Sequence, residues 1–345
     1  MKEGDNLLEG RFVFIDKMKA IGILLIMIGH APGLSNQFKI FIYAFHVPLF
    51  FIISGFLLSE RYMVLNIKAR FSKLFKSLLV PYFFFFFVSW LYWCLTKQYA
   101  NLSVYLKDKT FFDAFSGVYI GTVSALFVNP ALWFFVALFW ISLVYHISAK
   151  LIFSKIVLFI SYLVVFLVSV FVFYGELNKP DMVTLQVITG LVFYSFGVVL
   201  NEYMTRLDFS RYRFFILCVF LPVFIFLALK NGPLDLNLSR FGFSPFIYLL
   251  VAVVGFFVLY FLVDFLPYGR TVDFLSRNSL LIFASHMVIY KWITGFLMIF
   301  FGIDSPYLLG DWYFNFIYVL VSLVFIFYMS KFFNKHVPFL VGARS

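Results

Sequence analysis

Apolar residues run along this chain in blocks too long and too unbroken for the faces of a soluble fold. Stretches of roughly 17 to 25 apolar residues, the length that crosses a bilayer as a helix, predict ten spans near 20–37, 38–58, 78–96, 131–147, 151–174, 184–200, 213–229, 244–266, 279–302 and 312–333. Helix is the expected element throughout, because a segment in lipid must satisfy its own backbone hydrogen bonds. The pattern predicts an all-α integral membrane protein of about ten transmembrane helices, forming one membrane domain over 1–345, with 1–19 as an N-terminal segment and 334–345 as a tail. The longest connector, 97–130, carries the amphipathic stretch "TFFDAFSGVYIGTVSALF", expected to lie along the outer interface or to re-enter the membrane.

Composition agrees with the pattern. Apolar residues make up 63% of the chain and aromatics 23%, with a mean hydropathy of +0.99, far from soluble globular sequences. The net charge of +11 is explained by topology. Sorted by alternate connectors, 19 Lys and Arg fall on the side of the N-terminus and 7 on the other, with Lys291 inside a span. This bias places both termini in the cytoplasm and leaves little support for a nucleic-acid partner. The two cysteines, Cys94 and Cys218, sit in separate apolar runs and form neither a disulfide framework nor a metal-type spacing, so no metal site is expected. The apolar run after Lys19 is not followed by a small-residue cleavage site and reads as retained. With the chain consumed by spans, chemistry is expected from residues in or beside them.

Ionisable residues inside a membrane cost several kcal/mol unless they face a cavity or a partner. They are His30, His46, His286, Lys291 and Asp264. In "FIDKMKAIGILLIMIGHAPG" eleven residues separate Lys19 from His30, about three turns, which puts both on one helix face with a rise of about 16 Å. Pro32 and Gly33 then end the helix before it has crossed. A helix end at that depth is tolerated only against protein or a water-filled cavity. In the next span, "FIYAFHVPLFFIISGFLLSE", His46 comes about eight residues in, or roughly 12 Å, so it reaches the depth of His30 from the opposite side. Pro48 is expected to distort that helix, and Ser54 and Gly55 to allow close helix approach. An interhelical hydrogen-bonding role remains the alternative for His46 and His286. The role of Lys291 stays open, because it stands mid-span or marks a break. The "FFFFF" run at 83–87 reads as lipid-facing bulk.

The loop "ERYMVLNIKARFSKLFKSLLVPYF" sets Arg70, Lys73 and Lys76 at three-residue spacing on one helical face. Positive-inside topology alone accounts for such cations. A polyphosphate ligand would nevertheless meet four of them, Lys19 included, at one mouth of a buried cavity.

The residues now carry a family resemblance. "IDKMKAIGILLIMIGHA" resembles the first-helix motif of the membrane-bound acyltransferase family 3, with Asp16, a basic residue at Lys19 and the histidine at His30. "FHVPLFFIISGFLL" resembles the second-helix motif of the branch containing sugar and exopolysaccharide O-acetyltransferases. "SKLFKSLLVPYF" resembles the basic loop running into Pro81 and Tyr82, "ALWFFVALF" the tryptophan-phenylalanine helix at Trp133, and "NSLLIFASH" the late helix ending at His286. The first motif has lysine where arginine is common, which weakens any bidentate phosphate contact.

This resemblance implies transfer of an acyl group, usually acetyl, from cytoplasmic acyl-CoA to a hydroxyl of a sugar or polysaccharide precursor, which can be lipid-linked. Acetyl-CoA would be a co-substrate with no permanently bound cofactor. The implied setting is the bacterial plasma (inner) membrane, with membrane lipids as neighbours and a homo-oligomer left open. The expected donor-binding residues are Lys19, Arg70, Lys73 and Lys76, with His30 as general base and His46 orienting it or donating to the oxyanion. Asp16, Trp133 and His286 are additional candidates, and a covalent acyl-histidine stays open. The alternative from another class is a transporter or flippase of an isoprenoid-linked sugar, against which stands the lack of matching interrupted helices in the two halves. A pseudo-enzyme that binds lipid or partner subunits is a third reading.

Overall fold

A computed structural model describes residues 12–97, 109–110, 112–115, 118, 126–173, 182–204, 211–303 and 310–341. These residues form helices and no β-strand; one isolated antiparallel bridge joins Asp235 to Arg240. In chain order the helices are α1 (Val13–His30), α2 (Asn36–Tyr43), α3 (His46–Phe56), the single turn α4 (Glu60–Met63), α5 (Ile67–Leu74), α6 (Val80–Thr96), α7 (Trp133–Leu151), α8 (Lys155–Phe173), α9 (Met182–Met204), α10 (Arg213–Asn231), α11 (Pro245–Leu262), the short polar α12 (Arg270–Arg277), α13 (Ser279–Phe301) and α14 (Trp312–His336). Nine helical stretches among the described residues are long and apolar enough to span a bilayer, with α2–α3 and α5–α6 each counted as one. The protein is an all-α, multi-pass membrane protein. The tenth long helix is α1, whose Asp16, Lys17 and Lys19 keep it outside that set.

The first expected span is displaced. Instead of 20–37, α1 starts at Val13 and stops at His30, and residues from Asn36 already belong to the next span. The third is longer than expected, because α5, a π-helical turn at Phe75–Leu79 and α6 join into one stretch, Ile67–Thr96. Proline explains both interruptions. Pro81 has no N–H and its ring crowds the carbonyl four residues back; the widened turn before it, with Val80 N–H bonded to Phe75 O, takes up the misfit. Pro48 sits in the first turn of α3, where a missing N–H costs nothing, and the break at Ala44–Phe45 falls where its ring would have struck a helical carbonyl.

α1 packs against α3, α12, α13 and α14; α3 lies along α9, and α9 against α7 and α8. The most enclosed span is α7, with 78% of its apolar window buried, whereas α8 at 22% and α10 at 17% face lipid. The phenylalanine run at 83–87 is divided, with Phe83 and Phe87 facing outward and Phe85 and Phe86 in the core. Lipid offers no hydrophobic drive for helix association, so close backbone packing matters. At the α3–α9 crossing both helices use glycine: a Cβ on Gly55 would stand 1.9 Å from Tyr194 O, and one on Gly197 would stand 2.0 Å from Ile52 O.

The stretch expected to lie along the interface or re-enter falls largely outside the described residues. Leu126–Val128 and Pro130–Leu132 form short 3₁₀ turns buried beside α6, α7 and α13. Fully buried Asn129 donates through Nδ2 to Ser89 Oγ at 3.2 Å and to Ala284 O at 3.1 Å, tying the segment to α6 and α13. Lys291 lies in the middle of an unbroken α13, and its ammonium donates to Val128 O at 2.5 Å. Tyr92 of α6 donates to the Lys291 carbonyl at 3.0 Å.

Valine at Gly55 or at Gly197 should force α3 and α9 apart and cost at least about 1–3 kcal/mol. Thermal unfolding of the purified protein in detergent should show lowered midpoints for both. Gly269→Ala, at a site where an added Cβ meets nothing within 4 Å, should leave the midpoint almost unchanged.

Candidate functional site

The site forms around the end of α1. His30 is the last helical residue, and Ala31 turns the chain into extended backbone at φ −70° and ψ 145°. Gly33 follows at φ +83°, where a Cβ would also lie 2.2 Å from Asp311 O, so this turn is built on glycine. A helix C-terminus leaves four carbonyls without intrahelical partners, and in a membrane each must find a donor. Here Met27 O accepts the backbone N–H of Ala31 at 3.0 Å, and further donors come from three other helices. Tyr290 of α13 donates to Met27 O at 2.8 Å. Asn315 of α14 donates through Nδ2 to Ile28 O at 2.9 Å and Ala31 O at 3.1 Å. Tyr43 of α2 brings its hydroxyl to 3.5 Å from Gly29 O and 3.5 Å from His30 Nδ1.

Two further histidines surround this end. The His286 ring centroid is 5.4 Å from that of His30. Tyr43 stands between His30 and His46, with ring centroids 5.9 Å from the first and 4.9 Å from the second. His46 Nδ1 donates to Ile42 O at 2.8 Å, and His286 Nδ1 donates to Phe283 O at 2.8 Å. A carbonyl only accepts, so both rings carry the proton on Nδ1 and present Nε2 as a lone pair. The expected oxyanion donation from His46 is therefore open to its imidazolium form only. Exposure separates the three, since His46 is 4% and His286 0% exposed, while His30 is partly open. His286 Nε2 is buried without a hydrogen-bond partner. Among the described residues no three His, Cys, Asp or Glu side chains are grouped to hold a metal ion.

The other candidates are spread along the bundle. Asp16 is buried in the first turn of α1, and its Oδ1 accepts from Ser276 Oγ of α12 at 2.6 Å. Lys19 is half-buried on the same helix. The expected cationic face of α5 is split: Lys73 and Lys76 are exposed, but Arg70 is 6% exposed, its guanidinium 5.3 Å from the Tyr62 ring centroid. Three-residue spacing drifts around a helix, and here the drift turns Arg70 inward while α5 packs on α7. Lys73 Nζ lies 4.0 Å from the same Tyr62 ring. Trp133, at the start of α7, packs on Phe51 with centroids 6.4 Å apart and serves the core. Asp264 lies in the turn that ends α11, paired with Arg213 at 2.7 Å.

Reading the chain by ionisable residues passed over Tyr43, Tyr290 and Asn315. Each is an uncharged polar side chain within an apolar helix, and "WYFNFIY" around Asn315 held the clearest signal, one amide in a span.

A family model described as an acyltransferase domain matches residues 12–331 of the chain. No curated protein and no solved structure matches it.

Replacing Asn315 with leucine should leave the Ile28 and Ala31 carbonyls without their donor. The expected cost is about 1–3 kcal/mol, read as a lowered unfolding midpoint, and hydrogen exchange should quicken in the last turn of α1.

Proposed function

The chain belongs to this acyltransferase family, and from that premise we propose that it moves an acetyl group from cytoplasmic acyl-CoA to a hydroxyl of a sugar or polysaccharide precursor in a bacterial plasma membrane, with His30 as general base. The observation that carries this reading is the placement of His30. It is the partly open member of the histidine cluster, at a helix end held inside the bundle, about 16 Å of helix rise beyond Lys19. That rise is comparable to an extended pantetheine arm, so CoA phosphates held at the Lys19 end bring the thioester to the imidazole.

In the reaction His30 Nε2 takes the proton from the acceptor hydroxyl as its oxygen attacks the thioester carbonyl. The C–S bond breaks, the acetyl passes to the acceptor oxygen, and the proton returns to the CoA sulfur. Tyr43 supports the required tautomer: with its own proton on Gly29 O, its oxygen accepts Nδ1–H of His30 and leaves Nε2 basic. His46 backs the Tyr43 ring. His286 Nε2, an acceptor beside His30, suits a hydrogen bond from a second hydroxyl of the acceptor sugar.

Radiolabelled acetyl-CoA and envelope polysaccharide, supplied to purified protein in nanodiscs, test the reading. His30→Ala should lower transfer by about 10²–10⁴-fold with the unfolding midpoint retained. Turnover at the wild-type rate in a folded His30→Ala protein would remove His30 from the chemistry.

A further inference from the structure

A cleft of about 550 Å³ opens between α12 and the C-terminal end of α14. Three cations line it: Arg270 and Arg277 at the two ends of α12, and Lys331 of α14. The carboxylate in the lining, Asp273, does not set the field alone. Its Oδ1 accepts from Tyr268 Oη at 2.9 Å and pairs with Arg277 Nε at 2.8 Å. Asn334 adds an amide, the Asn278 amide already donates to Phe274 O at 2.8 Å, and the Phe274 and Phe327 rings meet edge to face at 5.6 Å. Cations set beside aromatic rings in a concave site, Lys331 Nζ 4.1 Å from the Phe327 centroid, suit a phosphorylated nucleoside, whose phosphate takes the charge and whose base lies against the rings.

The location sets this cleft beside the end of α1 opposite His30. α12 lies along the start of α1, fastened by the Ser276 to Asp16 hydrogen bond at 2.6 Å. From Asp16 to His30 the helix rises about 21 Å, a length that an extended acyl-pantetheine chain spans. The cations at 70–76 are divided instead: Arg70 and Lys73 flank the Tyr62 ring, at 5.3 and 4.0 Å, but Lys73 and Lys76 project outward while Arg70 is turned inward.

We infer that the α12–α14 cleft holds the 3′-phosphoadenosine end of the acyl-CoA donor, with Arg270 and Lys331 on the 3′-phosphate. The inference rests on the acyl-CoA reading above and assigns that donor a place in the fold. An anionic lipid headgroup offers the same phosphate chemistry at this end of the bundle.

Calorimetry with CoA and with 3′-dephospho-CoA separates these cases, using wild type, Arg270→Gln and Lys331→Gln in nanodiscs with and without phosphatidylglycerol. Both substitutions lie at exposed positions, and unfolding midpoints verify that the variants are folded. The expected result is that wild type prefers CoA over its dephospho form and that each variant binds CoA about tenfold more weakly, losing that preference. A merely structural role would weaken both ligands alike. Variants that keep the full preference, beside a wild type that shows it, would overturn the cleft assignment and leave the acyl-CoA reading intact. A wild type that binds neither ligand would remove the donor and the cleft assignment together. If the substitutions leave CoA binding unchanged but weaken the binding of phosphatidylglycerol, the cleft belongs to the lipid headgroup and the nucleotide assignment falls.

Discussion

A helix that ends inside a membrane must have its last carbonyls bonded by something other than water, and the architecture around His30 follows from that constraint. In water these groups would be solvated at little cost. In hydrocarbon each unsatisfied one costs several kcal/mol. Asn315, Tyr290 and Tyr43 meet the demand from α14, α13 and α2, and by doing so they fix where those helices stand relative to α1. Once α13 is drawn to Met27, His286 comes to 5.4 Å from His30, because Tyr290 and His286 are four residues apart on one helical face. The catalytic candidate and the groups around it are thus by-products of satisfying a helix terminus.

The same device appears on the far side of α13. The turns at 126–132 are irregular backbone enclosed in protein: Lys291 donates to the Val128 carbonyl, and the Asn129 amide ties the segment to α6 and α13. Elsewhere the bundle relies on fit. Where α3 crosses α9, glycine on each helix brings the backbones into contact, a gain in dispersion that apolar side chains alone would not give in a lipid solvent. Polar fastening around α1 and α13, and close packing at α3–α9, divide the protein into a bonded centre and a packed flank. The lipid-facing helices α8 and α10 close the outside.

α1 is anchored at both ends by residues from late in the chain, Ser276 at its first turn and Asn315 at its last. This fixes the span between the cationic end and the imidazole as a rigid length. Under the proposed function, such a length would act as a ruler, converting phosphate binding at one end into orientation of a thioester at the other.

Much of this was legible in the sequence, and for a physical reason. The helical spans and the premature stop of α1 are local properties, written in apolar runs and in Pro32 with Gly33. The phase of Lys19 with His30 likewise needs only the period of the helix. What the sequence could not give was the identity of the partners. Asn315 caps carbonyls 284 to 287 positions away, a pairing with no local signature. Arg70 reads as one of three surface cations and is buried, because which side of a short amphipathic helix faces inward depends on α7 and on the widened turn before Pro81. His286 stood in the sequence as one more membrane histidine, and only the folding of α13 onto the end of α1 set it beside His30. Periodicity determines an element and its faces; the burial of polar groups among distant elements is decided only when the helices meet, because each such group must be satisfied by whichever neighbour arrives.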